Sequence, residues 1–226
     1  MSSKSKATLN DLITHEPITE NQRKAYDSWD DGENLVLAGS AGTGKTFIAL
    51  YLALETMLEK TTPQDKIIIF RSVVPTRDIG YLPGTLAEKM APYEIAYQGI
   101  VHQLVGNDAG WNRLTTSKQI EFMSTSFIRG LTIDNAIIIV DEMQNLNFHE
   151  LDSVITRVGE NCRIIFSGDY NQSDFKDGFE REGIQKFLRI VEHLKNFNTI
   201  QFGWQDIVRS DFLRDYIMAK EMLGYK

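Results

Sequence analysis

Cysteine is almost missing from these 226 residues: Cys162 stands alone, so neither an internal disulfide nor a zinc site built on thiolates is available, as suits a reducing compartment. Histidine is nearly as scarce. The four, at 15, 102, 149 and 193, show no metal-ligand spacing and read as ordinary surface or core residues. No apolar run approaches the ~20 residues of a membrane span, and the polar opening MSSKSKATLN has no signal-peptide core. A soluble cytoplasmic protein without membrane contact is therefore expected, in a bacterial cell or in host cytoplasm if phage-encoded, with residues 1–18 flexible. Excess positive charge is missing as well. The 24 Lys and Arg against 31 Asp and Glu give a net charge of -7, which argues against coating nucleic acid by bulk attraction and leaves room only for a local basic groove.

What the chain does contain is a series of short apolar segments: Leu35 to Ala38, Lys66 to Phe70, Ala136 to Val140, Arg163 to Phe166 and Thr199 to Phe202. Helical stretches separate them, and the alternation predicts an α/β fold, a mostly parallel sheet with helices on both faces. One domain, 19–226, is expected at this length, with no room for a second of full size. Between Pro75 and Thr132 no strand is evident. Turn signals at Gly80 and Pro83-Gly84 precede helical spacing from Leu86, so an inserted helical segment is expected at about 75–132.

The run LVLAGSAGTGKTF carries the first chemistry. Gly39, Ser40, Ala41, Gly42, Thr43, Gly44, Lys45 and Thr46 fit G-x-x-x-x-G-K-[ST] between an apolar strand and a helix, the setting a phosphate-binding loop requires. Backbone N–H groups and the helix start at Lys45 face the anion, Lys45 reaches the β and γ phosphates, and the Thr46 hydroxyl goes to Mg²⁺. The second chemistry lies in AIIIVDEMQN. Asp141, at the end of a buried strand, holds Mg²⁺ through water, and Glu142 orients and polarises the attacking water. Alone, the two carboxylates would read as a solvated strand end or a helix cap. The upstream loop reverses that preference.

After the next apolar strand, IIFSGDYNQSD puts Asp169 and Gln172 on the same sheet edge. Gln172 is placed there to sense the γ-phosphate, and Asp169 with Gln144 to link hydrolysis to a neighbouring surface. An ordinary turn residue competes with that role for Gln172. Near the start, Thr19 caps a helix bearing Gln22, whose carboxamide offers a donor and an acceptor to an adenine edge. An exposed helix glutamine explains Gln22 equally well.

Together these segments resemble the PhoH family of P-loop ATPases, whose core is similar to the first motor domain of superfamily-one helicases. The resemblance runs from about Thr19 onward through GSAGTGKT, RSVVPTRDIGYLPGTLAEKMAPY, FIRG, IIIVDEMQN, TRVGENCRIIFSGDYNQSD and DIVRS. The phosphate loop and the carboxylate strand are common to many ATPases, whereas the GYLPG-to-PY stretch is specific. Ser40 stands where the family usually has proline and Met143 where it has alanine. Leu131 replaces a basic residue that often follows RG, which argues against a paired arginine element at Arg129.

The resemblance implies a RecA-like P-loop NTPase sheet with ATP and Mg²⁺ as cofactors. It also implies a homo-oligomer, a hexameric ring, in which a neighbouring subunit supplies the arginine that a one-domain chain lacks. Arg209 in DIVRS is the first candidate, with Arg129, Arg157 and Arg163 in reserve; a surface ion pair competes for each. RNA or single-stranded DNA is the implied partner. Arg71, Pro75, Thr76 and Arg77 follow the second strand, where helicase-like domains touch the nucleic-acid backbone, and Tyr81, Tyr93 and Trp111 would stack on bases. The competing reading makes the aromatics core and the arginines solvated. Some relatives carry a nuclease domain, for which this length has no room.

The leading function is thus an Mg²⁺-dependent ATPase, with Glu142, Lys45, Gln172 and Arg209 as catalytic residues, that moves or remodels RNA or single-stranded DNA. A nucleotide-gated scaffold acting on a protein partner is the alternative, and slow hydrolysis indifferent to nucleic acid would mark it. A small-molecule kinase also uses a phosphate loop, but Asp141, Glu142 and Gln172 favour water as the attacking group.

Overall fold

Among the described residues six strands form one sheet, all parallel, in the order β3-β2-β4-β5-β1-β6: β1 (Asn34–Gly39), β2 (Lys66–Arg71), β3 (Ile120–Ser124), β4 (Ala136–Val140), β5 (Arg163–Gly168) and β6 (Phe197–Phe202). This is a computed structural model; it describes residues 6–72, 86–106, 110–125, 128, 130–169 and 178–224, with the side chains of 86–89 and 178–182 outside the description. The helices are α1 (Glu20–Asp30), α2 (Lys45–Leu58), α3 (Leu86–Val105), α4 (Gly110–Thr116), α5 (Phe148–Ile155), α6 (Gly178–Val191) and α7 (Asp211–Met222).

Successive residues of a strand point to opposite faces, and here both faces are covered. Ile67 and Ile69 of β2 join Leu35, Leu37, Ile137 and Ile139 in a core with Trp29 of α1, Leu54 of α2 and Tyr97 of α3. Ile68 and Phe70 join Val36, Ile138 and Phe166 in a second core with Leu151 of α5 and Phe187 of α6. Burial on both sides is why these strands read as unbroken apolar runs rather than alternating ones.

The five expected strands are present, and the sixth, β3, lies inside the stretch expected to be helical. It is an edge strand whose segment IEFMS is buried only at Ile120 and Ser124, so its apolar signal is weak. Helices α3 and α4 occupy the described part of the remaining insertion. Residues 6–18 of the lead expected to be flexible make defined contacts. Ala7 exchanges two backbone hydrogen bonds with the Gln119 carboxamide, at 2.8 and 3.1 Å, and Arg113 pairs with Asp11 at 2.9 Å. Further along, Ile13 N–H donates to Leu104 O at 2.7 Å. Residues 6–18 are thereby laid along α3 and α4 on their way to α1.

One close approach fixes the end of β1. Gly39 pairs with Phe202 of β6 and has φ 128°, and a Cβ added there would lie 2.0 Å from Phe202 O. Gly39→Ala is therefore expected to destabilise the fold by about 3 kcal/mol or more, because both the backbone region and the space are denied to a side chain. Denaturant unfolding checks this; a loss under about 1 kcal/mol would mean that β6 moves aside at little cost.

Candidate nucleotide-binding site

Parallel strands bring their C-terminal ends to one edge, and that edge opens into a cleft of about 640 Å³. The loop from Gly39 to Gly44 turns β1 into α2. Gly44 occupies the N-cap of α2 at φ 84°, a left-handed conformation that glycine adopts without steric cost, so the unpaired N–H groups of the first helical turn open on the cleft. Lys45 Nζ donates to Gly39 O at 2.8 Å and Ser40 O at 2.7 Å. Burial lowers the Lys45 pKa, opposed by Asp169, Glu142, Asp141 and Glu221. An anion in this loop would relieve the desolvation that depresses it.

Thr46 and Asp141, 95 positions apart, meet here: Thr46 Oγ1 donates to Asp141 Oδ1 at 3.0 Å. Ser167 of β5 donates to the same oxygen, and Tyr97 of α3 donates to Oδ2 at 2.8 Å. Burial and the Asp141 charge hold the Tyr97 phenol well above its ordinary pKa, so it remains a proton donor. Hydroxyl and carboxylate oxygens suit Mg²⁺, which commonly takes one or two protein ligands and fills its shell with phosphate oxygens and water. Among the described residues no group of three His, Cys, Asp or Glu could hold a metal unaided, so the ion would need the phosphates. The residues fit that division.

Glu142 has φ 52°, a left-handed conformation that typically costs a residue with a side chain about 1–3 kcal/mol. The turn brings Glu142 to the cleft lining beside Asp141. Its pKa is raised by burial and by Asp141, with the Gln144 hydrogen bond, Arg71 and Lys45 acting the other way. Gln144 spans two strand ends: Nε2 donates to Glu142, and Oε1 accepts Asp169 N–H at 3.0 Å. Gly168 makes room for this bridge, since a Cβ there would meet Gln144 Oε1 at 2.3 Å.

Gln22 also lines the cleft, on a helix capped by Thr19 as expected. Its carboxamide is used within the chain, Oε1 accepting Ile18 N–H at 2.8 Å and Nε2 donating to Thr43 O at 3.2 Å. One N–H and one lone pair remain for a base edge. Around it stand His15, Tyr26 and Phe47, which sequence reasoning missed. The His15 and Phe47 rings meet edge to face at 5.0 Å, and Tyr26 OH donates to His15 O at 3.1 Å. No motif announces them; His15 arrives only through the docked N-terminal segment.

Arg209 lines the cleft of its own chain, its Cγ 3.2 Å from where a Gly42 Cβ would stand, while Val208 N–H donates to Gly42 O. Arg163 lies at the opposite edge, at the start of β5. Its guanidinium sits 3.3 Å over the Trp29 ring and donates to Trp29 O and Glu33 O, and burial pulls its pKa down to about 10 against the pull of Asp30. That engagement removes it as a reserve catalytic arginine. Arg157 also lies toward that edge, its carbonyl accepting Ile133 N–H ahead of β4. Trp111 is a core residue, 5% exposed, and is unavailable for base stacking. Arg71, expected against nucleic acid, lines the nucleotide cleft instead. Gln172, Arg129, Pro75, Thr76, Arg77 and Tyr81 lie outside the described residues.

The profile of the PhoH-like protein family matches residues 14–221. Protein PhoH of Escherichia coli (strain K12) is 34% identical over 183 residues, covering 80% of this chain and 51% of that protein. A PhoH-like protein of Mycobacterium leprae (strain TN) is 30% identical over 207 residues, or 91% and 58% of the two. The chain thus spans little more than half the length of these curated relatives. Among solved structures, the large terminase of a thermophilic bacteriophage shares the fold at TM-score 0.52 and 13% identity, over 93% of this chain and 51% of that one. Its complex with ADP gives TM-score 0.50 at 14% identity, over 93% and 50%. At such identities the likeness concerns fold alone.

Proposed function

This chain belongs to the PhoH-like protein family, and from that premise we propose that it is an Mg²⁺-dependent ATP hydrolase coupled to binding or remodelling of RNA or single-stranded DNA. The observation that carries the ATPase reading is the meeting of Thr46 and Asp141 at 3.0 Å, with Lys45 on one side and Glu142 on the other. Phosphates would bind at the start of α2, Thr46 and Asp141 would hold an Mg²⁺ that neutralises phosphate charge, and Glu142 would orient and deprotonate the attacking water. The adenine lies toward Gln22, His15, Tyr26 and Phe47. Gln172 senses the γ-phosphate.

Assembly into a ring, proposed as a hexamer of this chain, is supported by α7. Its residues Phe212 and Tyr216 are 81% and 59% exposed, while Ile217 packs toward the phosphate loop. Large apolar side chains turned outward beside an ATP site suit a second copy of the chain, the arrangement that lets one subunit complete another's site. The nucleic-acid partner rests on the family resemblance. A cytoplasmic location accords with the lone Cys162, and no helix among the described residues is long and apolar enough to cross a membrane.

Steady-state ATP hydrolysis, measured with and without Mg²⁺ and with single-stranded RNA or DNA on material of recorded oligomeric mass, tests this. Turnover that requires Mg²⁺ and rises with one polymer is expected. A slow rate indifferent to both polymers would replace the nucleic-acid motor with a nucleotide-gated scaffold.

A further inference from the structure

Arg71 ends β2 beside the end of β4. The register pairs Phe70 with Val140, and Asp141 N–H donates to Phe70 O at 3.0 Å, so Arg71 and the pair Asp141 and Glu142 issue from adjacent strand ends into one cleft. Two tyrosines one turn apart on α3 hold the arginine. The Tyr93 ring lies 5.3 Å from Cζ, at cation–π distance, and Tyr97, whose hydroxyl donates to Asp141 Oδ2, lines the same cleft and favours the Arg71 charge. Arg71 and Tyr97 thus stand on the same cleft wall as the carboxylate opposite Thr46. Burial opposes the charge on Arg71, but Tyr97, Asp141 and Glu142 outweigh it and raise its pKa above the ordinary value.

The residue sits half-buried at a strand end, on the wall of the cleft. What the site requires is positive charge where the transferring phosphoryl group becomes more anionic. We propose that Arg71 is a catalytic arginine of this site, acting within its own chain on the transferring phosphoryl group and held in place by Tyr93 and Tyr97. In that step a water oxygen bonds to the γ-phosphorus while the bond to the β,γ-bridging oxygen breaks; ADP leaves with that electron pair, and the water proton passes to Glu142 and then to phosphate. The role rests on the ATPase reading above. It supplies from β2 a charge that a one-domain chain was expected to borrow from a neighbour.

The test separates ground state from transition state. Arg71→Ala is expected to lower kcat by about 100- to 1,000-fold while changing ADP affinity less than about threefold. It is also expected to abolish the gain in affinity that wild type shows for ADP when aluminium fluoride mimics the transferring phosphoryl group, measured by calorimetry. Mixing Arg71→Ala with Glu142→Gln protein should restore no turnover, because both lesions then stay within each chain's own site. Retained tightening by aluminium fluoride, unchanged kcat, or turnover recovered on mixing would each overturn the proposal. Should the alanine variant not fold, Arg71→Gln, which keeps a long polar side chain without the charge, is read by the same three outcomes. Wild-type protein that binds ADP yet hydrolyses no ATP would overturn the ATPase reading itself, whereas wild-type turnover matched by Arg71→Ala would remove only the arginine's role.

Discussion

Glu142→Gln is expected to reduce kcat by about 100- to 10,000-fold while ATP stays bound as tightly as in wild type or more so. The change is nearly isosteric and leaves the backbone at φ 52° where it is. What it removes is a carboxylate whose pKa burial and Asp141 have raised, which makes it a stronger proton acceptor than an ordinary glutamate at neutral pH. The amide keeps an oxygen for the hydrogen bond from Gln144, so the bridge to Asp169 survives. One negative charge fewer beside Asp141 also lessens repulsion of the phosphates. Single-turnover hydrolysis alongside equilibrium binding separates the two effects. Turnover within about tenfold of wild type would move the water-activating role to another group.

Lys45→Ala is the second large effect, and it falls on binding. The ammonium is held inside the phosphate loop by Gly39 O and Ser40 O, and burial already depresses its pKa. Burial disfavours that charge although Asp169, Glu142 and Asp141 favour it, and an anion at the loop would offset the remaining desolvation. Charge-assisted bonds to phosphate are worth about 1.5–3 kcal/mol, so the variant should bind ATP roughly 10- to 150-fold more weakly. Its thermal midpoint should stay near that of wild type, since the loss relieves a buried charge. Titration calorimetry with a non-hydrolysable ATP analogue gives the answer; affinity within about threefold of wild type would remove the phosphate-loop assignment.

Both predictions concern residues that local sequence identifies. G-x-x-x-x-G-K-[ST] works through contiguous backbone and one side chain, and the carboxylates follow a strand whose all-apolar run marks it as buried on both faces. Five strands, the start of α2 at Lys45 and the Thr19 cap were legible for the same reason: each depends on neighbours in sequence. Edge strand β3 was not, because three of its five side chains are only partly buried and carry little apolar signal.

The other half of the site belongs to contacts between distant segments. Tyr97 and Ser167 converge on Asp141 from positions 44 and 26 residues away, and His15 comes from a segment whose place is set by Gln119 and Arg113. Arg71 looked like a nucleic-acid contact and Trp111 like a stacking platform; pairing of β2 with β4 turns the first into the cleft, and packing of α4 buries the second. By itself, the sequence determined five of the strands, the phosphate-loop pattern and the carboxylate pair after β4, because local pattern and backbone geometry suffice for them. Only the tertiary structure decided which arginine, tyrosines and histidine face the cleft, because strand order and helix docking, rather than spacing along the chain, set those distances.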